Sequence, residues 1–113
     1  MYTYIFKGQT HSDFSISYMQ QIGMDAEQIE SVNNQRNHDL KAVKEKVRQE
    51  CSRRIALHWN EVGQINAALG VYTPEEAESC KQCIEAHRSA CNTLLSNPDL
   101  LDINYKKDEY WPS

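Results

Sequence analysis

Helix-breaking residues are scarce in this chain. Three of its 113 residues are proline and four are glycine, and from Asp25 to Gly70 there is no proline and one internal glycine, Gly63. Long apolar runs are missing too. No stretch approaches the roughly 20 residues a membrane-spanning helix needs, which excludes a membrane partner on this reading. Met1-Tyr2-Thr3-Tyr4-Ile5-Phe6 lacks the positive start and cleavage site of a signal peptide. The expected setting is therefore the cytoplasm, with the four cysteines as reduced thiols. Positive charge is in deficit. The formal net charge is −4, whereas nucleic-acid binders are usually basic. Also lacking are a phosphate-binding glycine loop, a Gly-x-Ser-x-Gly elbow and a metalloprotease motif. Asp102, Asp108 and Glu109 stand in a tail with nothing to hold them in register. No catalytic residue and no cofactor site follow from these patterns, and the chain reads as a non-enzyme.

What the sequence does have is a long helical stripe. Ile29, Val32, Leu40, Val43, Val47, Cys51, Ile55, His58, Val62, Ile65 and Leu69 recur in steps dominated by three and four, the spacing of one helix face. One helix over residues 25–70 would run roughly 65 Å, and a pattern that long points to a coiled coil or helical repeat. Asp25 is the expected N-cap, with Gln28 completing a capping box and Met24 stapling onto Ile29. Asn33 to Asp39 is polar all round and marks the weakest segment, a candidate break.

A second helix opens at Thr73-Pro74-Glu75-Glu76, with Thr73 as N-cap and Pro74 in the first turn. It carries Ala77, Cys80, Ile84, His87, Cys91 and Leu94, and Asn97-Pro98 stops it. A connection of about three residues makes the two helices antiparallel. Residues 50–70 then pack on 74–95, with Cys51, Ile55, His58, Val62 and Ile65 against Ala77, Cys80, Ile84, His87 and Cys91. Cys51 falls opposite Cys91, and His58 beside Ile84 to His87.

The ends read as smaller units. Tyr2, Tyr4 and Phe6 alternate as a short strand, and Gly8 to Thr10 offers a turn. Asp13 to Tyr18 fits either a return strand or a short helix begun at Ser15 or Ser17 and ended at Gly23, with the helix favoured. Residues 99–113 are mixed-charge and irregular, with Leu100, Leu101, Ile103, Tyr105, Tyr110 and Trp111 available to dock. The resulting fold class is mainly α: a long helix plus an antiparallel second helix, a helical hairpin with a small N-terminal β/aromatic cap, in an oligomeric coiled coil. The expected divisions are a cap over 1–24, the hairpin over 25–96 and a tail over 97–113. Ile29, Val32, Leu40, Val43 and Val47 have no partner within the hairpin. They, with Tyr110 and Trp111, are the expected partner-binding residues. The stripe is to be covered by the N-terminal cap, by another subunit in a dimer or trimer, or by a client, and the Tyr-Trp-Pro end either packs back on the protein or binds a partner.

Cys80-x-x-Cys83-x-x-x-His87-x-x-x-Cys91 is the densest set of metal-ligand types. Strung along about three turns of one helix, the four side chains cannot converge on one tetrahedral ion, and at core positions thiols act as small apolar fillers. No metal site is therefore expected. Cys80-x-x-Cys83 lacks the βαβ setting of a redox pair. The basic run Lys41, Lys44, Lys46, Arg48, Arg53 and Arg54 is interrupted by Glu45 and Glu50 and reads as a solvated helix face rather than a nucleic-acid surface.

Several features of residues 50–113 resemble tail-fibre assembly proteins, the tail-fibre chaperones of tailed bacteriophages. They are Cys51-Ser52-Arg53-Arg54-Ile55 on a long helix, Thr73-Pro74-Glu75-Glu76 opening a second, Ala86-His87-Arg88-Ser89-Ala90-Cys91, and the closing Tyr110-Trp111-Pro112. The Thr-Asp-Trp segment often found between the two helices of that family is absent. The resemblance implies a phage or prophage assembly factor that helps fold or trimerise a tail or fibre protein in the host cytoplasm. The alternatives are a homo-oligomeric component kept in the virion tail, or a small helical regulator that binds a host protein.

Overall fold

The computed structural model describes residues 2–112. Met1 and Ser113, the outer ends of the expected cap and tail, lie outside the described residues. The chain forms β1 (Tyr4–Phe6), β2 (Gln9–His11), α1 (Ile16–Gln21), α2 (Ala26–His58), α3 (Glu61–Ala68) and α4 (Pro74–Leu95), followed by 3-10 turns at Leu100–Asp102 and Asp108–Tyr110. The fold is mainly α with a small two-stranded cap, as the helical spacing requires.

The molecule measures 65 × 23 × 19 Å, with a radius of gyration of 20.1 Å. A compact chain of this length would have a radius of about 13 Å. Its surface is 7839 Å², against roughly 6,400 Å² for a compact protein of this mass. An elongated chain has no single centre, and two clusters of buried residues lie along α2.

The first cluster is the cap. β1 and β2 pair antiparallel with Phe6 opposite Gln9, leaving Lys7 and Gly8 as a two-residue loop with φ of 52° and 76°. Positive φ at both positions is what a tight hairpin needs to match strand twist. Ser15 caps α1, and Gly23 ends it at φ 98°. Tyr4, Met19, Met24 and Ile29 are buried together, with Phe6, Phe14, Ile22 and Val32 around them. Asp25 and Gln28 form the expected capping box at the start of α2.

α2 continues unbroken through Asn33 to Asp39, so the candidate break there is corrected. Three of its side chains meet partners: Tyr2 donates its hydroxyl to Asp39 Oδ2 at 2.7 Å, Gln35 donates to Asp39 Oδ1 at 3.0 Å, and the Arg36 guanidinium lies 5.0 Å from the Phe14 ring. The polar segment is the seat of the cap.

The break comes instead at Trp59-Asn60. Asn60 leaves the helix, and its side chain accepts from the Gly63 N–H at 2.8 Å, starting α3. Asn at such a site satisfies a free helix-end donor. α3 closes in a Schellman motif: Gly70 sits at φ 76°, the Val71 N–H donates to Asn66 O and the Gly70 N–H to Ala67 O. Thr73 then caps α4.

The second cluster holds α2, α4 and the tail together. Val47, Cys51, Ile55, Cys91, Leu94, Leu100 and Trp111 are buried in it, flanked by Leu40, Val43, Ile103, Tyr105 and Tyr110 among others. Cys51 Sγ donates to His87 O at 3.6 Å, and the rings of His58 and His87 lie 5.7 Å apart. The hairpin register expected from the sequence therefore holds up to His58.

Candidate partner-docking surface

Of the ways to cover the expected partner-binding residues, the structure shows cover from within the chain, by the cap and the tail. Ile29 is buried, and Val32 half-buried, under the cap. Val47 has no exposed surface, and Leu40 and Val43 pack beside it under the tail. Trp111 is 6% exposed and closes the same core, with Tyr110 half-buried against it. These seven residues pack within the chain.

The tail is held by a polar clasp. Arg54 donates to Glu50, to the Lys106 carbonyl at 2.7 Å and to Asp108 at 3.0 Å, while its guanidinium lies 5.4 Å from the Trp111 ring. The Trp111 indole N–H donates to Tyr105 O at 2.7 Å. Glu50 also receives Arg53 at 2.6 Å. Hydrogen bonds from Arg53, with those from Arg54, hold the Glu50 carboxyl far below the usual range, at about 2, despite its burial.

Apolar surface remains at the other end of the hairpin. The two-residue break re-aims α3, so that Val62 (65% exposed) and Ile65 (56%) face outward instead of packing on α4 as expected, and Leu69 (73%) is exposed with them. Positions i, i+3 and i+7 share a sector of about 60° on a helix. Leu57 and Val71 are exposed nearby in sequence, at 71% and 65%. On the side toward α4, Gln64, Ala67 and Ala68 line a cleft of about 420 Å³ with Ala77 and Ile84. The tip has an ordered scaffold: the Trp59 and Tyr72 rings pack at 5.7 Å, and Gln64 donates to Trp59 O at 2.7 Å. Gly63 leaves room there, since an added Cβ would meet Asn60 Oδ1 at 3.4 Å and Trp59 at 3.5 Å.

The thiols do not form a ligand set. Cys51, Cys80 and Cys91 are buried and Cys83 half-buried. His87 Nδ1 lies 2.8 Å from Cys83 O, a bond within its own helix. Among the described residues, no group of three or more His, Cys, Asp or Glu is arranged to hold a metal ion. Burial, with Cys91 alongside, pushes the Cys51 thiol up to about 11. No described helix is long and apolar enough to cross a membrane.

The chain matches no protein-family model, no curated protein and no solved structure.

The sequence carried a signal for the tip that the long-stripe reading passed over. Asn60 directly before Glu61 is a helix-start pair, and a new start at residue 61 takes Val62, Ile65 and Leu69 out of phase with the stripe before it.

Proposed function

We propose that the chain is a non-enzymatic assembly factor of a phage or prophage, a helper that holds a tail-fibre or other tail component through the apolar tip of its hairpin. It acts in the host cytoplasm while the partner folds or assembles. The observation that carries this reading is the row of exposed aliphatic side chains on α3, set on a capped and packed scaffold while the rest of the long stripe is covered within the chain. Contiguous exposed apolar surface on an ordered element marks an interaction site. The tail-fibre partner comes from the resemblance in residues 50–113, and the docking face moves from residues 29–47 to the tip. Glu50 is tied to Arg53 and Arg54, and Tyr2 to Asp39, which are bonds that hold the tail and the cap.

The test is co-production with a tail-fibre protein of the same genome. The yield of soluble trimeric fibre should rise in the presence of the chain, and the gain should be lost with Val62→Ser, Ile65→Ser and Leu69→Ser combined. A yield that does not depend on the chain contradicts the proposal. Mass spectrometry of purified particles separates a helper, which is absent, from a virion component, which is present in fixed copy number.

A further inference from the structure

The tip is acidic throughout. Between Arg54 and Lys81 there is no lysine or arginine, while Glu61, Glu75, Glu76 and Glu78 fall within that stretch. The chain has sixteen acidic and twelve basic residues, so outside this stretch the two signs balance. Glu61 opens α3, Glu75 and Glu76 lie in the first turn of α4, and Glu78 follows them on the same helix. All four are exposed. The stretch with a row of exposed aliphatics is thus also one of single-sign charge; the stretch between Lys7 and Arg36, with Asp13, Asp25, Glu27 and Glu30, is another, but it has no such row on a helix.

We infer that the tip docks an amphipathic helix whose apolar face is flanked by lysine or arginine. Val62, Ile65 and Leu69 present the spacing that packs against a helix, and the glutamates select basic flanks by complementarity. The inference rests on the reading of the tip as the partner surface and adds the partner's chemistry to it. A second copy of this chain fits the same surface poorly. A symmetric tip-to-tip pair would bring two sets of four glutamates together, and like charges at an interface suppress association. An anionic membrane surface is repelled for the same reason.

The experiment uses the full chain and two fluorescent synthetic peptides, one of leucine and lysine at helical spacing, the other with glutamate replacing every lysine. Fluorescence anisotropy should show the lysine peptide binding at least about tenfold more tightly than the glutamate peptide, with an advantage that shrinks as salt rises. Val62→Ser, Ile65→Ser and Leu69→Ser combined should weaken binding by about tenfold or more, a loss of the size expected when central apolar contacts are removed. Glu75→Gln with Glu78→Gln should reduce the salt dependence. Ile5→Ser with Ile16→Ser, exposed aliphatics of the cap end, should bind as the unaltered chain does. Circular dichroism checks folding, and Leu69→Ser alone serves if the triple variant melts early. Equal affinity for both peptides overturns the inference. So does unchanged binding by a folded triple variant, tip-dependent self-association in sedimentation, or co-sedimentation with anionic phospholipid vesicles. If the triple variant loses fibre assembly while the peptides show no charge preference, the inference fails and the proposed function stands. If it retains assembly, the proposed function itself fails.

Discussion

Arg54 joins three parts of the molecule: the Glu50 carboxylate one turn back on α2, the tail backbone at Lys106, and the Trp111 ring. Its side chain is 13% exposed and that of Glu50 is 9%, so the pair is largely shielded from water. The Glu50 carboxyl sits at about 2 instead of 4.5. A depressed folded-state value means that the ionised form stabilises the fold above pH 4.5, and that this contribution is lost as pH falls from 4.5 through about 2. An acid titration followed by tryptophan fluorescence should show Trp111 loosening in that window. Glu50→Gln should remove the acid step and cost about 2 kcal/mol at neutral pH, because Arg54 keeps only the exposed Asp108 and the tail carbonyl; urea melts at pH 7 and pH 3.5 check both. Cys51 shows the opposite case. Burial raises its thiol to about 11, so almost none is ionised at neutral pH, and the thiolate is the reactive form. Cys51, Cys80 and Cys91 should react slowly with a thiol reagent in the native protein and rapidly in urea. Fast native reaction at all three would contradict their burial.

At the scale of elements, the tail and the short helix α3 decide what the surface offers. Leu100 is fully buried against α2, and Trp111 closes the same cluster. Leu100→Ala should cost about 2–5 kcal/mol and Trp111→Ala about 3–5 kcal/mol, both measurable by urea unfolding. Gly63→Ala should instead be neutral or stabilise by up to about 1 kcal/mol. The new methyl meets its neighbours at ordinary contact distances, and alanine is the better helix former. The helical hairpin, its Thr73 start, the capping box at Asp25 and the placing of Cys51 by Cys91 and of His58 by His87 were legible from spacing and caps. That the tail has apolar residues to dock was legible too, but their seat was not, because Leu100, Ile103, Tyr105 and Trp111 have no period and they join a cluster with Val47, far back in the chain. The break was missed for another reason. Asn33 to Asp39 looked weaker in pattern, but Tyr2 and Phe14 support it from outside the helix. At Asn60 one side-chain cap outweighs a continuing apolar pattern.

At the scale of the whole molecule, the helical rod buries one apolar stripe along most of its length and leaves another exposed at one end. Val47 carries no exposed surface, so Val43→Glu with Val47→Glu should unfold the hairpin, placing charge in a closed core, rather than release monomers from an assembly. Scattering and circular dichroism on that variant distinguish the two outcomes. The central claim is that partners meet α3 and the start of α4, while the stripe from Ile29 to Val47 is already occupied. Hydrogen exchange, comparing the free chain with its complex with a tail-fibre protein, addresses this most directly. Added protection should appear in residues 57–78 with little change in 29–47. Protection gained at Leu40, Val43 and Val47, with α3 exchanging as in the free chain, would contradict it.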